Sequence, residues 1–266
     1  MTASTEQSEQ SENPENPENT EYFENWVSTF RRAPSAAVRL VCLPHAGGSA
    51  SFFFPLAKAF SPDIEVMAVQ YPGRQARRNE PGIDNVPEYA DRIFAALRRL
   101  TDRPLALFGH SMGAVLAYEV ALRMRKAGLP APVRLFASGR RAPSRYRDEQ
   151  VHKGTDGQLV AELRGLGGPH QSVLTDPEVL ALILPAVRGD YRAVERYRHD
   201  PQARLDCPVT VLVGDEDPRV TLDEARAWEE HTTGPTELEV FRGGHFYLVD
   251  RAGEVIDVLT RRLGAQ

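Results

Sequence analysis

The sequence has only two cysteines, Cys42 and Cys207, among 266 residues. Each lies within or beside an apolar run of strand length. That placement reads as buried free thiols in a reducing compartment, so the expected localisation is cytoplasmic and a disulfide scaffold is excluded. Histidine and cysteine nowhere cluster at zinc-ligand spacing, and no glycine-rich loop has a phosphate-cradling form. Neither a metal nor another cofactor is therefore expected. Long hydrophobic runs are also missing. Val179-Leu-Ala-Leu-Ile-Leu184 is among the longest and Pro185 ends it, whereas a membrane span needs roughly 18 apolar residues or more. The N-terminus has no basic segment followed by an apolar core, so no secretory signal is read and no membrane is implied. Basic residues are absent before Arg31, while a glutamate recurs at every third position from Glu6 to Glu24. The net charge of −5 comes from this stretch. The remainder is close to neutral, and nucleic acid is not implied as a partner.

Residues 1–20 are Ser, Glu, Asn, Pro and Thr with a short Glu-Asn-Pro repeat, too poor in apolar surface to offset ordering entropy. They are expected to form a disordered acidic tail. Residues 21–266 are expected to form one domain, since a chain of this length with 41% hydrophobic residues suits a single large α/β domain. Tyr22, Phe23, Trp26, Val27 and Phe30 supply an aromatic-rich cluster where the chain enters it.

Five residues organise the domain: Gly109-His110-Ser111-Met112-Gly113. They come after an apolar strand-like run (104–108) and open an apolar helix (114–122) that closes at Ala127-Gly128, a C-cap signal. A strand turning sharply into a buried helix, with Ser at the apex and Gly two places to either side, is the nucleophile elbow of α/β-hydrolases. The turn strains the serine backbone, and side chains at the flanking glycines would collide with the adjoining strand and helix. The helix N-terminus behind the serine favours developing negative charge.

Further strands are expected at 38–43, 64–69, 132–137, 208–213 and 237–241, and helices at 52–60, 86–100 and 222–228. The alternation stops between about 143 and 200, which is too long for an ordinary connection and suits a helical lid. The expected architecture is a mostly parallel central sheet with helices on both faces and this lid inserted. After the first of these strands, Pro44-His-Ala-Gly-Gly48 forms a glycine loop of the kind that supplies the second oxyanion-hole donor. On that logic the backbone N–H of Ala46 joins that of Met112. Gly214-Asp-Glu-Asp217 lies at the carboxyl end of 208–213, where ligands gather in open parallel sheets. Asp217 is the candidate acid, with Asp215 as competitor. His245, between glycines past the last strand, is the candidate base. His45, His152, His170, His199 and His231 are read as structural or surface residues. Arg74, Arg77 and Arg78 are read as solvated surface or as a docking patch for an acidic partner, and Arg140, Arg141, Arg145 and Arg147 as a second candidate patch.

Ser111, Asp217 and His245 stand in the chain order Ser…Asp…His that marks the α/β-hydrolase triad. A serine hydroxyl is a poor nucleophile at neutral pH, so His245 would take its proton and later protonate the leaving group. Asp217 would hold the histidine tautomer, and the two backbone N–H groups would bind the tetrahedral oxyanion. That chemistry is acyl transfer to water.

Read together, Pro44-His-Ala-Gly-Gly-Ser49, Tyr71-Pro-Gly-Arg74, Gly109-His-Ser-Met-Gly-Ala114, Gly214-Asp-Glu-Asp217, Gly243-Gly-His-Phe246 and the lid segment Leu184-Pro-Ala-Val-Arg-Gly-Asp190 closely resemble the type II thioesterases. These are the stand-alone editing enzymes of polyketide and nonribosomal-peptide synthases. The resemblance runs from about 36 to 262 and leaves the glutamate-rich tail outside. It implies, as substrate, an acyl group on the phosphopantetheine arm of an acyl or peptidyl carrier protein, which is then the partner. Nothing in the sequence demands more than a monomer. A general carboxylesterase of the same fold, a product-releasing thioesterase domain and a non-catalytic carrier-binding protein are the competing readings.

Overall fold

A computed structural model of the protein describes residues 17–168 and 174–264. Seven strands form one sheet: β1 (Val27–Thr29), β2 (Val38–Leu43), β3 (Ile64–Val69), β4 (Leu105–His110), β5 (Arg134–Ser138), β6 (Val209–Gly214) and β7 (Thr236–Phe241), in the order β1-β3-β2-β4-β5-β6-β7. From β3 to β7 every neighbouring pair is parallel, and β1 alone runs antiparallel, pairing Val27 with Val69. The strands read from sequence are β2 to β7, with ends displaced by one or two residues at most. β1 was not expected. Its three residues are too few to show a period, and β3 rather than their own sequence makes them a strand.

Every residue of β2, β3, β4 and β6 is buried. Side chains alternate across a strand, so Val41, Leu43 and Leu107 face one core while Leu40, Cys42 and Phe108 face the other. The first core is closed by α3 (Val86–Leu97) and α4 (Met112–Lys126), which come after α1 (Pro17–Trp26) and α2 (Phe54–Ala59) in the chain. The second is closed by Phe53, by Leu56 of α2 and by the C-terminal helix Ala252–Leu263. Both layers of an α/β-hydrolase fold are thus present. Cys42 and Cys207 are buried and free, and burial raises both thiols, that of Cys207 to about 11.

Residues 1–16, most of the expected tail, lie outside the described residues. Helix α1 nevertheless starts at Pro17, inside the stretch read as disordered. It is anchored downstream, where Trp26 is buried and its ring lies under the Arg77 guanidinium, 4.4 Å away.

Between β5 and β6 no strand occurs among the described residues. Helix α5 (Asp156–Gly165) starts on a capping box in which Thr155 and Gln158 satisfy each other's backbone N–H groups. Helix α6 (Pro177–Arg196) starts on Asp176, whose side chain accepts from the N–H groups of Glu178 and Val179. Pro185 ends the apolar run but not the helix. It costs one backbone hydrogen bond, and Pro185 and Ala181 are both exposed, so water can reach the carbonyl left free. Leu159, Val160, Leu174, Leu184 and Val187 give the insertion a small core of its own.

Candidate active site

The end of β4 meets α4 at Ser111, whose φ of 56° and ψ of −115° lie in a region non-glycine residues seldom enter. A Cβ on Gly109 would come 2.1 Å from the carbonyl oxygen of Gly113, and one on Gly113 would come 1.9 Å from that of Leu43 in β2. Only glycine fits at both places, and their close packing imposes the strain on the serine between them. The Ser111 N–H donates to the Ser138 carbonyl at 2.8 Å, tying the elbow to β5.

His245 sits on the loop after β7 with its Nδ1 2.8 Å from Asp217 Oδ2, and both side chains are buried. The other carboxylate oxygen of Asp217 accepts the Arg219 N–H at 2.8 Å. With Nδ1 held, Nε2 is the ring nitrogen left for the cavity that Ser111 and His245 both line. The competitor, Asp215, is exposed and accepts the Gly243 N–H at 2.8 Å. It fixes the loop that carries His245 without facing the imidazole.

Two more histidines stand beside this one. The ring centres of His110 and His245 are 5.0 Å apart, and those of His45 and His110 5.9 Å. His110 Nδ1 shares a hydrogen bond with Ser138 Oγ at 3.0 Å, and that hydroxyl lies 2.6 Å from Tyr247 Oη. Burial above all, then the proximity of His245, holds His110 well below the usual imidazole range, and the same causes with Arg74 push His45 down to about 3. Both stay neutral, so neither sets a second positive charge against His245.

Ala46 and Met112 line the same cavity. Neither backbone N–H has an acceptor among the described residues. The next residue, Gly47, is held by the insertion: its N–H donates to Asp190 Oδ2 at 2.7 Å. Asp190 is fully buried in α6 and also takes both terminal nitrogens of Arg74, at 2.7 and 3.0 Å, and the Tyr89 hydroxyl at 2.7 Å. Val187, one turn earlier, packs so closely that a Cβ on Gly47 would meet its Cγ2 at 2.8 Å. The insertion therefore grips the loop that carries Ala46. Opposite charges in two of the motifs, Arg74 and Asp190, were the one sequence signal of this contact.

The cavity measures about 750 Å³. The insertion walls it with apolar side chains, among them Leu163, Leu174, Ile183 and Val187, and Phe52 and Phe246 close the side near His245.

The structure corrects several surface readings. Arg74 and Arg77 are buried and already partnered. Arg77 donates to both Glu80 carboxylate oxygens, at 2.7 and 2.6 Å, and to the Gln70 carbonyl at 2.8 Å. Only Arg78 of that trio is exposed. In the second group Arg141, Arg145 and Arg147 pair with Glu149, Glu230 and Glu224. His152 is buried with Nδ1 on Glu195, and His231 is buried with Nε2 accepting the Ser144 N–H at 3.2 Å. His199 is half-buried against the His231 ring, and His170 lies outside the described residues.

A family model described as "Thioesterase domain" matches residues 38–263. The chain is 50% identical over 230 residues to a Streptomyces griseus protein named "Probable cadicidin biosynthesis thioesterase", covering 86% of this chain and 63% of that one. It is 46% identical over 239 residues to "Thioesterase PikA5" of Streptomyces venezuelae, covering 90% and 85%. Among solved structures, the type II thioesterase BorB from the borrelidin biosynthetic cluster superposes with a TM-score of 0.84 at 49% identity, over 90% of this chain and 98% of that one. The chain thus spans less than two thirds of the first relative's length and most of the other two.

Proposed function

The chain belongs to the thioesterase family, and we propose that it hydrolyses acyl thioesters held on the phosphopantetheine arm of acyl or peptidyl carrier proteins, through an acyl-serine. The observation that carries this reading is the meeting, at the wall of one apolar cavity, of a strained serine on a strand-to-helix elbow and a histidine oriented by a buried aspartate.

His245 Nε2 takes the Ser111 proton as the hydroxyl oxygen attacks the thioester carbonyl. The carbonyl oxygen becomes an oxyanion received by the Ala46 and Met112 N–H groups, a contribution typically worth ~3–4 kcal/mol per donor. Collapse breaks the carbon–sulfur bond, the pantetheine thiolate takes the proton from His245, and the acyl group remains on Ser111. Water then attacks the ester with His245 again as base, releasing the acid and restoring the serine. Asp217 keeps Nδ1 protonated throughout and stabilises the imidazolium. No metal or cofactor enters any step.

The apolar cavity suits an acyl chain, and the near-neutral body sets up no field against an acidic carrier. Removal of stalled or wrongly primed acyl units in polyketide or nonribosomal-peptide synthesis is the role proposed, with the cytoplasm, where buried free thiols persist, as its place.

The test is thiol release from one acyl group presented on a carrier protein and on a pantetheine mimic, with Ser111→Ala as control. Release that needs Ser111 and favours the carrier is the expected result. Equal or better turnover of the mimic, or of simple oxygen esters, would replace the editing role by that of a general acyl hydrolase. Full activity in Ser111→Ala would overturn the mechanism.

A further inference from the structure

Arg140 follows Gly139 at the end of β5 and lines the cavity. Gly139 borders the catalytic histidine: a Cβ there would sit 3.5 Å from His245 Cε1. The backbone of Arg140 is fixed by Trp228, whose Nε1 donates to its carbonyl at 2.8 Å. Its guanidinium is different. Nε is shut off from solvent without a hydrogen-bond partner, and the terminal nitrogens have no acceptor among the described residues.

Every neighbouring cation is matched. Arg141 pairs with Glu149, and Arg219 pairs with Glu149 and Glu162. Glu195, the other acid on the cavity wall, holds His152 and accepts the backbone N–H groups of Val151 and His152. Burial first, and then repulsion from Arg141, outweigh the attraction of Glu149 and push Arg140 down to about 9. An unpaired guanidinium in such a place is costly unless something that enters the cavity satisfies it.

We propose that Arg140 is a specificity residue of the acyl chamber, donating to an oxygen acceptor carried by the acyl chain, either a carboxylate or a carbonyl beyond the thioester. The proposal rests on the thioesterase reading, which supplies the acyl group. The phosphate of the pantetheine arm is not the acceptor, because Arg140 directly follows Gly139, which borders the histidine, while that phosphate lies at the far end of the arm. Oxygen-bearing acyl groups, of the kind left by incomplete reduction or by a dicarboxylic starter, are then preferred over plain aliphatic ones.

The experiment compares kcat/KM for pantetheine thioesters in matched pairs: 3-oxobutanoyl against butanoyl, and glutaryl against pentanoyl. Wild type is set beside Arg140→Met and Arg140→Lys. Arg140→Met is expected to lower kcat/KM for at least one oxygenated member by about tenfold or more while leaving its aliphatic partner unchanged or faster, and Arg140→Lys to restore part of it. Whichever pair responds identifies the acceptor. Equal losses within both pairs, or none, overturn the subsite while leaving the thioesterase reading intact. Absence of serine-dependent hydrolysis of all four overturns both. Should Arg140→Met not fold, inhibition of wild-type butanoyl hydrolysis by glutarate and 3-oxobutanoate, each against its aliphatic match, decides instead. Tighter inhibition by neither oxygenated acid overturns the proposal.

Discussion

Asp190 Oδ2 lies 2.7 Å from the backbone nitrogen of Gly47, so a carboxylate of the helical insertion sets a loop that lines the same cavity as Ser111. The same group neutralises a buried Arg74. Asp190→Ala removes the carboxylate that pairs with that guanidinium and frees the loop. Loss of about 3–5 kcal/mol in urea unfolding is expected, with a fall in kcat larger than any change in KM. The double variant Asp190→Ala/Arg74→Met should regain part of the stability but not the kcat. Recovery of both would mean that Asp190 serves the ion pair alone.

Asp217 and Asp215 are separated by their contacts and should be separated by kinetics. Asp217→Asn leaves an amide against His245 Nδ1 and is expected to cut kcat on the order of 10³–10⁴-fold. Asp215→Asn only weakens a bond to the Gly243 N–H and should change kcat less than about tenfold. A reversed ranking would reassign the acid.

The elbow tolerates no added atom. In Gly113→Ala the new Cβ would press on the Leu43 and Pro44 carbonyls, which belong to a buried strand and its loop and cannot swing away. Destabilisation at or above the upper end of the roughly 1–3 kcal/mol typical of overpacking is expected, together with loss of turnover. A fully active, fully stable variant would show that the elbow and the end of β2 part easily.

Stability should fall with acid. The Ser144 N–H requires an acceptor at His231 Nε2, and burial foremost, with His199 next, lowers that imidazole from 6.5 to about 4. A group with a lowered folded pKa takes up its proton first in the unfolded chain. Its contribution is therefore intact above pH 6.5 and lost as pH falls towards 4. His45 and His110 act in the same sense. Urea midpoints measured across that window should drop, and His231→Gln, which keeps an acceptor for Ser144, should flatten the slope. An identical slope in the variant would remove His231 from the account.

Arg77→Ala addresses the docking idea that the structure revises. It removes a buried guanidinium that pairs with the exposed Glu80, donates to the Gln70 carbonyl and lies over Trp26, so thermal stability should fall while KM for carrier-bound and small thioesters changes equally. A selective rise for the carrier would revive docking there. Arg78, exposed at the cavity rim, remains the residue of that trio able to meet a partner.

How far the sequence could be read depends on the range over which each feature is determined. Strands β2 to β6 were legible because a parallel sheet covered on both faces demands largely apolar runs, and β7, a partly exposed edge strand, because polar and apolar residues alternate along Glu237-Leu-Glu-Val240. Ser111, Asp217 and His245 were assigned to loops at the carboxyl ends of β4, β6 and β7, where they sit, because the flanking glycines and the chain order are local signals. β1 was not legible, since three residues carry no period. His152 and His231 were misread because a lone histidine gives no sign of burial; Glu195 and Ser144, 43 and 87 residues away, decide it. The arginine clusters misled in the same manner. Adjacency in sequence suggested patches, while most of those charges are taken up in ion pairs within the fold.

The contacts of Asp190 with Gly47, Arg74 and Tyr89 span 143, 116 and 101 residues of chain. Contacts of such separation are slow to close, since a long loop must be ordered before it yields any reward. In refolding from urea, helical circular dichroism should therefore recover ahead of hydrolysis. During synthesis, the loop that carries Ala46 and Gly47 gains its anchor only after the ribosome has passed residue 190.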